Sequence, residues 1–198
     1  MGRKIVLSES QFKRLISEIT SGEIEERVKD VNLHPSEAQK EAENYKKGHI
    51  SIKGMAITIE TPKGKKRYWK DSDGKTGSTK MNHHYGYFRS TRGNGKDGDA
   101  VDVFVGKNTE NFTTVYVVDQ KINGKFDESK VMLGFNSKDE AKQAYLSNYS
   151  EDWKGFMYIS AVSIPIFKKW LYRGNKQQKP FRDYVLIQKN KKRESHQN

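Results

Sequence analysis

Ile50-Ser51-Ile52-Lys53 and Met55-Ala56-Ile57-Thr58-Ile59-Glu60, closed by Thr61-Pro62-Lys63-Gly64, decide the fold class of this chain. Both runs are rich in β-branched residues, which suit a pleated, half-buried surface, and the segment that closes them is turn chemistry. Further strands are predicted over Tyr85–Phe88, Ala100–Val105, Thr113–Asp119, Lys130–Phe135, Phe156–Ser163 and Asp183–Gln188. Helical signals are fewer. One helix is predicted from Pro35 through Ala38 and Ala42 toward Tyr45, with proline suited to the first turn. Ser137 and Glu140 form a capping-box pattern ahead of Ala141, Ala144 and Tyr145, and Pro165–Tyr172 follows Ser163 and is closed by Gly174. Many strands with few helices between them predict an α+β domain, a small β-barrel or strongly curved sheet with helices packed outside.

Outside this body the pattern changes. Ser8 and Gln11 form a capping-box pattern, and Phe12, Leu15, Ile16 and Ile19 recur at helical spacing, so an N-terminal amphipathic helix is predicted, stopped at Ser21-Gly22. Glu23–Asp30 is charged and weakly periodic. The expected organisation is an N-terminal helix and linker over 1–30, a folded domain over 35–188 and a basic, disordered tail over 189–198.

The 198 residues carry a formal charge of +12, with no cysteine, 33% apolar, 31% charged and 11% aromatic residues. The aromatic content argues for a folded chain, and the charged fraction for a modest core. Lack of cysteine excludes disulfides and thiolate metal sites. No apolar run reaches the roughly 20 residues of a membrane span, and no secretory stretch opens the chain, so no membrane partner and a cytoplasmic location are expected. Lys168–Asn198 holds ten Lys and Arg against Asp183 and Glu194, a local +8. A basic excess favours anionic partners, nucleic acid or phosphorylated small molecules among them.

The chemistry concentrates in Asp97-Gly98-Asp99-Ala100-Val101-Asp102-Val103-Phe104-Val105. Val101, Val103 and Val105 alternate to one face of the predicted strand, leaving Asp102 and Phe104 on the other. Carboxylates crowded in this way raise one another's pKa unless a cation neutralises them, and hard oxygens at this density suit Mg²⁺ or Mn²⁺. An acidic turn around a glycine is also ordinary solvated structure, but Asp102 stands inside a β-branched run where aspartate is disfavoured. Asp119 and the pair Asp127-Glu128 form a second acidic group. They either join the first across neighbouring strands or merely flank the Asn123-Gly124 hairpin. Lys63, Lys65, Arg67, Arg89, Lys130 and Lys154, with Tyr85 and Tyr87, are candidates to hold oxyanions. Carboxylates for metal beside such groups are the ingredients of phosphoryl chemistry.

Three other patterns carry nothing. Gly93-Asn94-Gly95-Lys96-Asp97-Gly98 matches a dinucleotide fingerprint but precedes a strand instead of a helix. Asp71-Ser72-Asp73-Gly74 has its glycine too early for a calcium loop. His83-His84, being adjacent, point apart on a strand and do not form a zinc pair.

Asp97-Gly98-Asp99-Ala100-Val101-Asp102 resembles the signature of the soluble, Mg²⁺-dependent inorganic pyrophosphatases. The order of Glu60-Thr61-Pro62, a basic segment, Tyr85-Gly86-Tyr87, the aspartate signature, Asp119 and the group Asp127, Glu128 and Lys130 is similar too. Glu37–Ala42, Asn44–His49 and Phe126–Phe135 resemble the divergent pyrophosphatase-like domain of polyvalent proteins in phages and mobile elements. The resemblance covers about residues 35–172. It implies an OB-like β-barrel with outer helices that hydrolyses pyrophosphate to two phosphates. It implies Asp97, Asp102 and Asp127 or Glu128 as Mg²⁺ ligands, Asp119 helping a further metal, Asp99 as general base and Glu60 in the metal shell. Lys63 or Lys65, Arg67, Tyr87, Lys130 and Lys154 would contact phosphate, with Tyr149 as the alternative to Trp153-Lys154. Other readings are a hydrolase of nucleotide phosphoanhydrides and a non-catalytic OB-like module that binds nucleic acid. The basic tail would then serve nucleic acid or phage assembly, in host cytoplasm or virion.

Overall fold

The computed structural model describes residues 8, 19–70, 74–89, 91, 99–173 and 178–194. The N-terminal amphipathic helix predicted from Ser8, the ligand candidate Asp97 with the rest of residues 92–98, and the last four residues of the expected tail therefore lie outside the described residues.

The chain is α+β. In order it forms α1 (Ser21–Val28), α2 (Glu37–Glu41), β1 (Gly48–Ile52), β2 (Met55–Thr61), β3 (Lys66–Lys70), β4 (Thr76–Lys80), β5 (His84–Phe88), β6 (Asp102–Val105), β7 (Thr114–Ile122), β8 (Lys125–Leu133), α3 (Lys138–Leu146), β9 (Phe156–Ser163), α4 (Ile164–Arg173) and α5 (Phe181–Glu194). Seven strands make one sheet in the order β1-β2-β5-β6-β8-β7-β9, and β3-β4 is a separate ribbon. Among the described residues only β6 and β8 pair in parallel. The large sheet is open, with β1 and β9 as unpaired edges, so the expected closed barrel is not what the strand pairing gives.

Local chemistry fixes the register. Lys53-Gly54 and Asn123-Gly124 both sit at positive φ and join their strands by two-residue turns, pairing Ile52 with Met55 and Ile122 with Lys125. Because the second turn is so short, β8 begins at Lys125, and Asp127 and Glu128 lie inside the strand and not ahead of it. Gly86 explains the Tyr-Gly-Tyr run. A Cβ there would meet the Thr58 carbonyl oxygen at 1.8 Å, so only hydrogen lets β5 lie against β2 with both tyrosines on one face.

The sheet is packed on both sides. Val101, Val103, Val105, Val115, Val117, Val131 and Leu133 join Ile24 and Val28 of α1 and Phe167, Trp170 and Leu171 of α4 in one core. Phe104, Met132, Tyr116 and Val118 project the other way, onto Ala141, Ala144 and Tyr145 of α3. The alternation expected around Asp102 is thus present, with valines to one core and Phe104 to the other.

Three segments differ from expectation. Asp183–Gln188 lies within α5 and is not a strand. Its β-branched content imitates one, but Phe181, Tyr184 and Val185 meet the core at helical spacing. The helix continues through Lys189–Glu194, the first residues of the expected tail. Ser21-Gly22, read as a helix stop, and most of Glu23–Asp30, read as weakly periodic, form the helix Ser21–Val28: Thr20 and Glu23 make a reciprocal capping box, and Ile24 and Val28 are buried. The polar ribbon β3-β4 carried no apolar alternation from which to predict it.

Asp119 anchors the C-terminal helix. Its Oδ1 accepts hydrogen bonds from the Phe181 N–H at 2.8 Å and Ser129 Oγ at 2.7 Å, and its Oδ2 accepts from the Arg182 N–H at 3.0 Å. These are the first free donors of α5, and the negative charge sits at the positive end of the helix dipole. Burial pushes the Asp119 carboxyl above its ordinary range, against those hydrogen bonds. Asp119→Ala is expected to cost about 2–4 kcal/mol, a charged acceptor lost to buried donors, and to release α5 from β7. Urea unfolding with hydrogen exchange on α5 checks it, and unchanged protection of that helix would refute the anchor.

Three histidines make stability depend on pH. His49, His83 and His84 are each held below the ordinary value, first by burial and then by nearby cations such as Arg89 and Lys63. For His84 the charge of Glu25 opposes the shift. Its Nδ1 accepts the Lys63 N–H at 3.1 Å, and its Nε2 lies 3.2 Å from Glu25 of α1. Protons therefore bind the unfolded chain more readily. The histidine contribution should be complete above about pH 6.5 and be lost as pH falls from there through the lower folded values. Urea midpoints measured from pH 7.5 to 5 should fall, and His84→Gln should flatten part of the slope.

Candidate active site

A cleft of about 460 Å³ opens where the ends of β2, β5, β6 and β8 meet the α2–β1 segment. Asp102, the first residue of β6, lies opposite Tyr87 and next to Lys130 on the parallel β8. Tyr85 Oη donates to Asp102 Oδ2 at 2.6 Å, and the Lys130 ammonium donates to the same oxygen and to Glu128 Oε1 at 2.7 Å. Lys130 is 4% exposed. Burial alone would favour its neutral form, but Asp102, Tyr85 and Glu128 outweigh this and raise its pKa well above the usual value. Burial also raises the Glu128 carboxyl, with Lys130 opposing and Asp102 reinforcing the rise. Arg67 stacks on the Tyr85 ring at 4.7 Å and faces the same cleft.

A second knot forms the opposite wall. Glu60, near the end of β2, accepts from Lys47 Nζ at 2.9 Å and from Tyr45 Oη at 3.0 Å. Lys47 also donates to Tyr87 Oη at 3.3 Å and lies over the Tyr45 ring at 4.4 Å. Its pKa is raised: burial opposes the charge, but the hydrogen bond and charge of Glu60, with the tyrosine hydroxyls, prevail.

Behind the carboxylates is a fully paired amide. Gln120 Nε2 donates to Asp127 Oδ2 at 3.2 Å and to Glu128 Oε1 at 3.4 Å. Its Oε1 accepts from Tyr145 Oη at 2.9 Å and Tyr149 Oη at 3.0 Å, and Trp153 Nε1 donates to Tyr145 Oη at 2.9 Å. Every polar atom of that amide has a partner, which fixes where the two carboxylates stand.

The structure brings together Glu60, Arg67, Tyr87, Asp99, Asp102, Asp127, Glu128 and Lys130 in the lining of one cleft. Tyr149 lies beneath it through Gln120. Other residues named from sequence are elsewhere. Asp119 faces the opposite core and is spent on α5. Lys63 lines a separate depression with Glu25, His83 and Lys107. Lys65 is exposed in the β2–β3 turn, its carbonyl accepting from the Met81 N–H. Arg89 is exposed beside His49, and Lys154 is exposed beside Asp152. None of these five lines the cleft. Period two explains Asp119: it and Gln120 are neighbours on β7, so one faces each way, and Gln120 is the residue that reaches the site.

Sequence reasoning missed Tyr45, Lys47 and Gln120 as site residues. Tyr45 and Lys47 stand inside Asn44–His49, a stretch quoted for the resemblance without a role. A lysine between two tyrosine-bearing segments gives no local signal of its own.

Among the described residues no group of three carboxylates or histidines is placed to hold a metal ion. The donor chemistry nonetheless fits a hard divalent cation: Asp99, Asp102, Asp127 and Glu128 are all oxygen donors in the lining of the cleft. Among the described residues the lining holds six carboxylates, Glu43 and Glu60 included, against the cations of Lys40, Lys47, Arg67 and Lys130, a balance of −2.

The site is a polar cleft in which a mostly antiparallel sheet presents carboxylates, buried cations and tyrosine hydroxyls. A family model, that of the inorganic pyrophosphatases, matches residues 37–172, and the chain belongs to that family. No curated protein matches the sequence. Among the described residues no helix is long and apolar enough to cross a membrane.

Proposed function

We propose that this chain hydrolyses pyrophosphate to two phosphates with the help of Mg²⁺ or Mn²⁺. The observation that carries this reading is the composition of the cleft: four cations and six carboxylates around about 460 Å³. Pyrophosphate at neutral pH is densely anionic, and a lining at −2 repels it. One divalent cation on the acidic wall cancels that balance, and a second inverts it, so anion and cation would bind together. The same balance disfavours the cleft as a nucleic-acid groove, since a phosphate backbone requires a positive track.

The residues divide by role. Asp102 and Glu128, with Asp127 and, outside the described residues, Asp97, would hold the cation, which when bound supplies positive charge and acidifies water. Lys130 keeps Asp102 and Glu128 from repelling each other and presents its remaining charge to a phosphoryl oxygen. Arg67, held over the Tyr85 ring, offers a fork of donors to a phosphate. Lys47 and Tyr87 form the donor pair on the facing wall, and Glu60 keeps Lys47 charged and aimed. Asp99, exposed at the mouth, takes the proton of the attacking water as general base.

Phosphate release from pyrophosphate, followed colorimetrically, should begin on addition of Mg²⁺ and stop on addition of EDTA. Absence of release across Mg²⁺ and Mn²⁺ concentrations would overturn the reading.

A further inference from the structure

We infer that the cleft accepts a nucleoside diphosphate, with the diphosphate against Lys130 and Arg67 and the base seated in an adjoining aromatic annex. This rests on the phosphoanhydride reading and names a substrate class for it. The annex is a depression of about 400 Å³ that shares Lys40, Tyr45, Glu60, Arg67 and Tyr85 with the cleft, so the two spaces adjoin. Its outer wall is of another kind: Leu33, His34 and Pro35 from the α1–α2 loop face Tyr68 of β3. Tyr68 is 57% exposed, the highest value among the large hydrophobic side chains described. The Tyr68 and His34 rings are in tilted contact, 5.5 Å apart at 51°, and leave the exposed face of Tyr68 for a base to stack on. The pair is built and not incidental to a loose loop. Asn32 donates its N–H to the Lys46 carbonyl at 2.8 Å and accepts the His34 N–H on Oδ1 at 3.0 Å, and Pro35 limits the backbone beyond.

Inorganic pyrophosphate has no part that benefits from two aromatic rings and a proline. A nucleoside diphosphate is a pyrophosphate esterified at one end, and its flat base stacks on such rings. With the base in the annex, the α-phosphate falls near Arg67 and the β-phosphate reaches the acidic wall. Water then adds its oxygen to the β-phosphorus, the bond from that phosphorus to the α–β bridging oxygen breaks, and the electron pair leaves on the nucleoside monophosphate. Asp99 receives a proton and later releases it, so that NDP³⁻ and water give NMP²⁻, HPO₄²⁻ and H⁺.

Steady-state kinetics on the full chain with Mg²⁺, using pyrophosphate and ADP side by side, test this. ADP should be hydrolysed. Tyr68→Ala should raise KM for ADP about tenfold without changing kcat or either pyrophosphate constant, and Tyr68→Phe should retain the wild-type value. Pyrophosphate turnover without ADP turnover, or a KM for ADP indifferent to Tyr68→Ala, overturns the inference and leaves the pyrophosphatase reading standing. If neither substrate turns over, that reading fails, and calorimetric titration with ADP decides the annex separately. Binding weakened about tenfold by Tyr68→Ala and restored by Tyr68→Phe supports it, and binding unaffected by Tyr68 removes it.

Discussion

Asp102→Asn should lower phosphate release from pyrophosphate about 1,000-fold while the chain stays folded. The substitution removes one negative charge from the oxygen that receives both Tyr85 and Lys130. A cation held there supplies several kcal/mol to the transition state, and each 1.4 kcal/mol is a factor of ten in rate, so a loss near three decades follows. Stability should suffer less. Glu128 still pairs with Lys130 at 2.7 Å, the amide keeps an acceptor for Tyr85, and a cost of about 1–3 kcal/mol is expected. Mg²⁺-dependent phosphate release and urea unfolding, run on the same preparation, separate the two effects. Undiminished turnover in the variant would remove Asp102 from the site.

Lys130→Met should have the opposite profile, with stability falling first. The lysine is buried between two carboxylates and a phenol, and its removal takes away the ammonium that bridges Asp102 and Glu128, leaving Arg67 alone to offset them from the cleft. Breaking a buried ion pair from one side costs about 3–5 kcal/mol, because an uncompensated charge stays in the interior. The diagnostic variant combines Lys130→Met with Asp102→Asn and Glu128→Gln. It should recover most of the lost stability in urea unfolding and none of the activity. If the single variant unfolds at the wild-type midpoint, Lys130 does not neutralise those acids.

Much of the site was legible in the sequence because its residues sit on strands, where period two dictates direction. Asp102 and Phe104 could be assigned to the face opposite Val103 and Val105 from spacing alone, and the two cores confirm that assignment. Asp127 and Glu128 were named from sequence but placed ahead of the strand; they lie inside β8, and both line the cleft although period two would send adjacent residues to opposite faces. What stayed hidden depends on tertiary placement. Asp119 and Gln120 differ by one position, and the more acidic neighbour drew attention, yet the uncharged amide faces the cleft. Lys47 became a site residue only because β1 returns alongside β2 and carries its preceding loop to Glu60. Lys63, Lys65, Arg89 and Lys154 were chosen because basic residues near a motif attract notice, although an exposed lysine is most often only solvated. Asp183–Gln188 shows the limit for fold: a short apolar run reads as a strand until its neighbours Phe181 and Arg182 are seen to start a helix on a distant carboxylate.

The central claim is that the carboxylates of β6 and β8 hold a divalent cation beside the cations that receive the anion. Crystals of the full chain soaked with Mn²⁺ and imidodiphosphate, measured at the manganese edge, test it most directly. The account predicts anomalous density within ligating distance of Asp102 and Glu128, with the imidodiphosphate bridging it to Arg67. Manganese found only elsewhere on the surface, with those carboxylates still closed around Lys130, would contradict it.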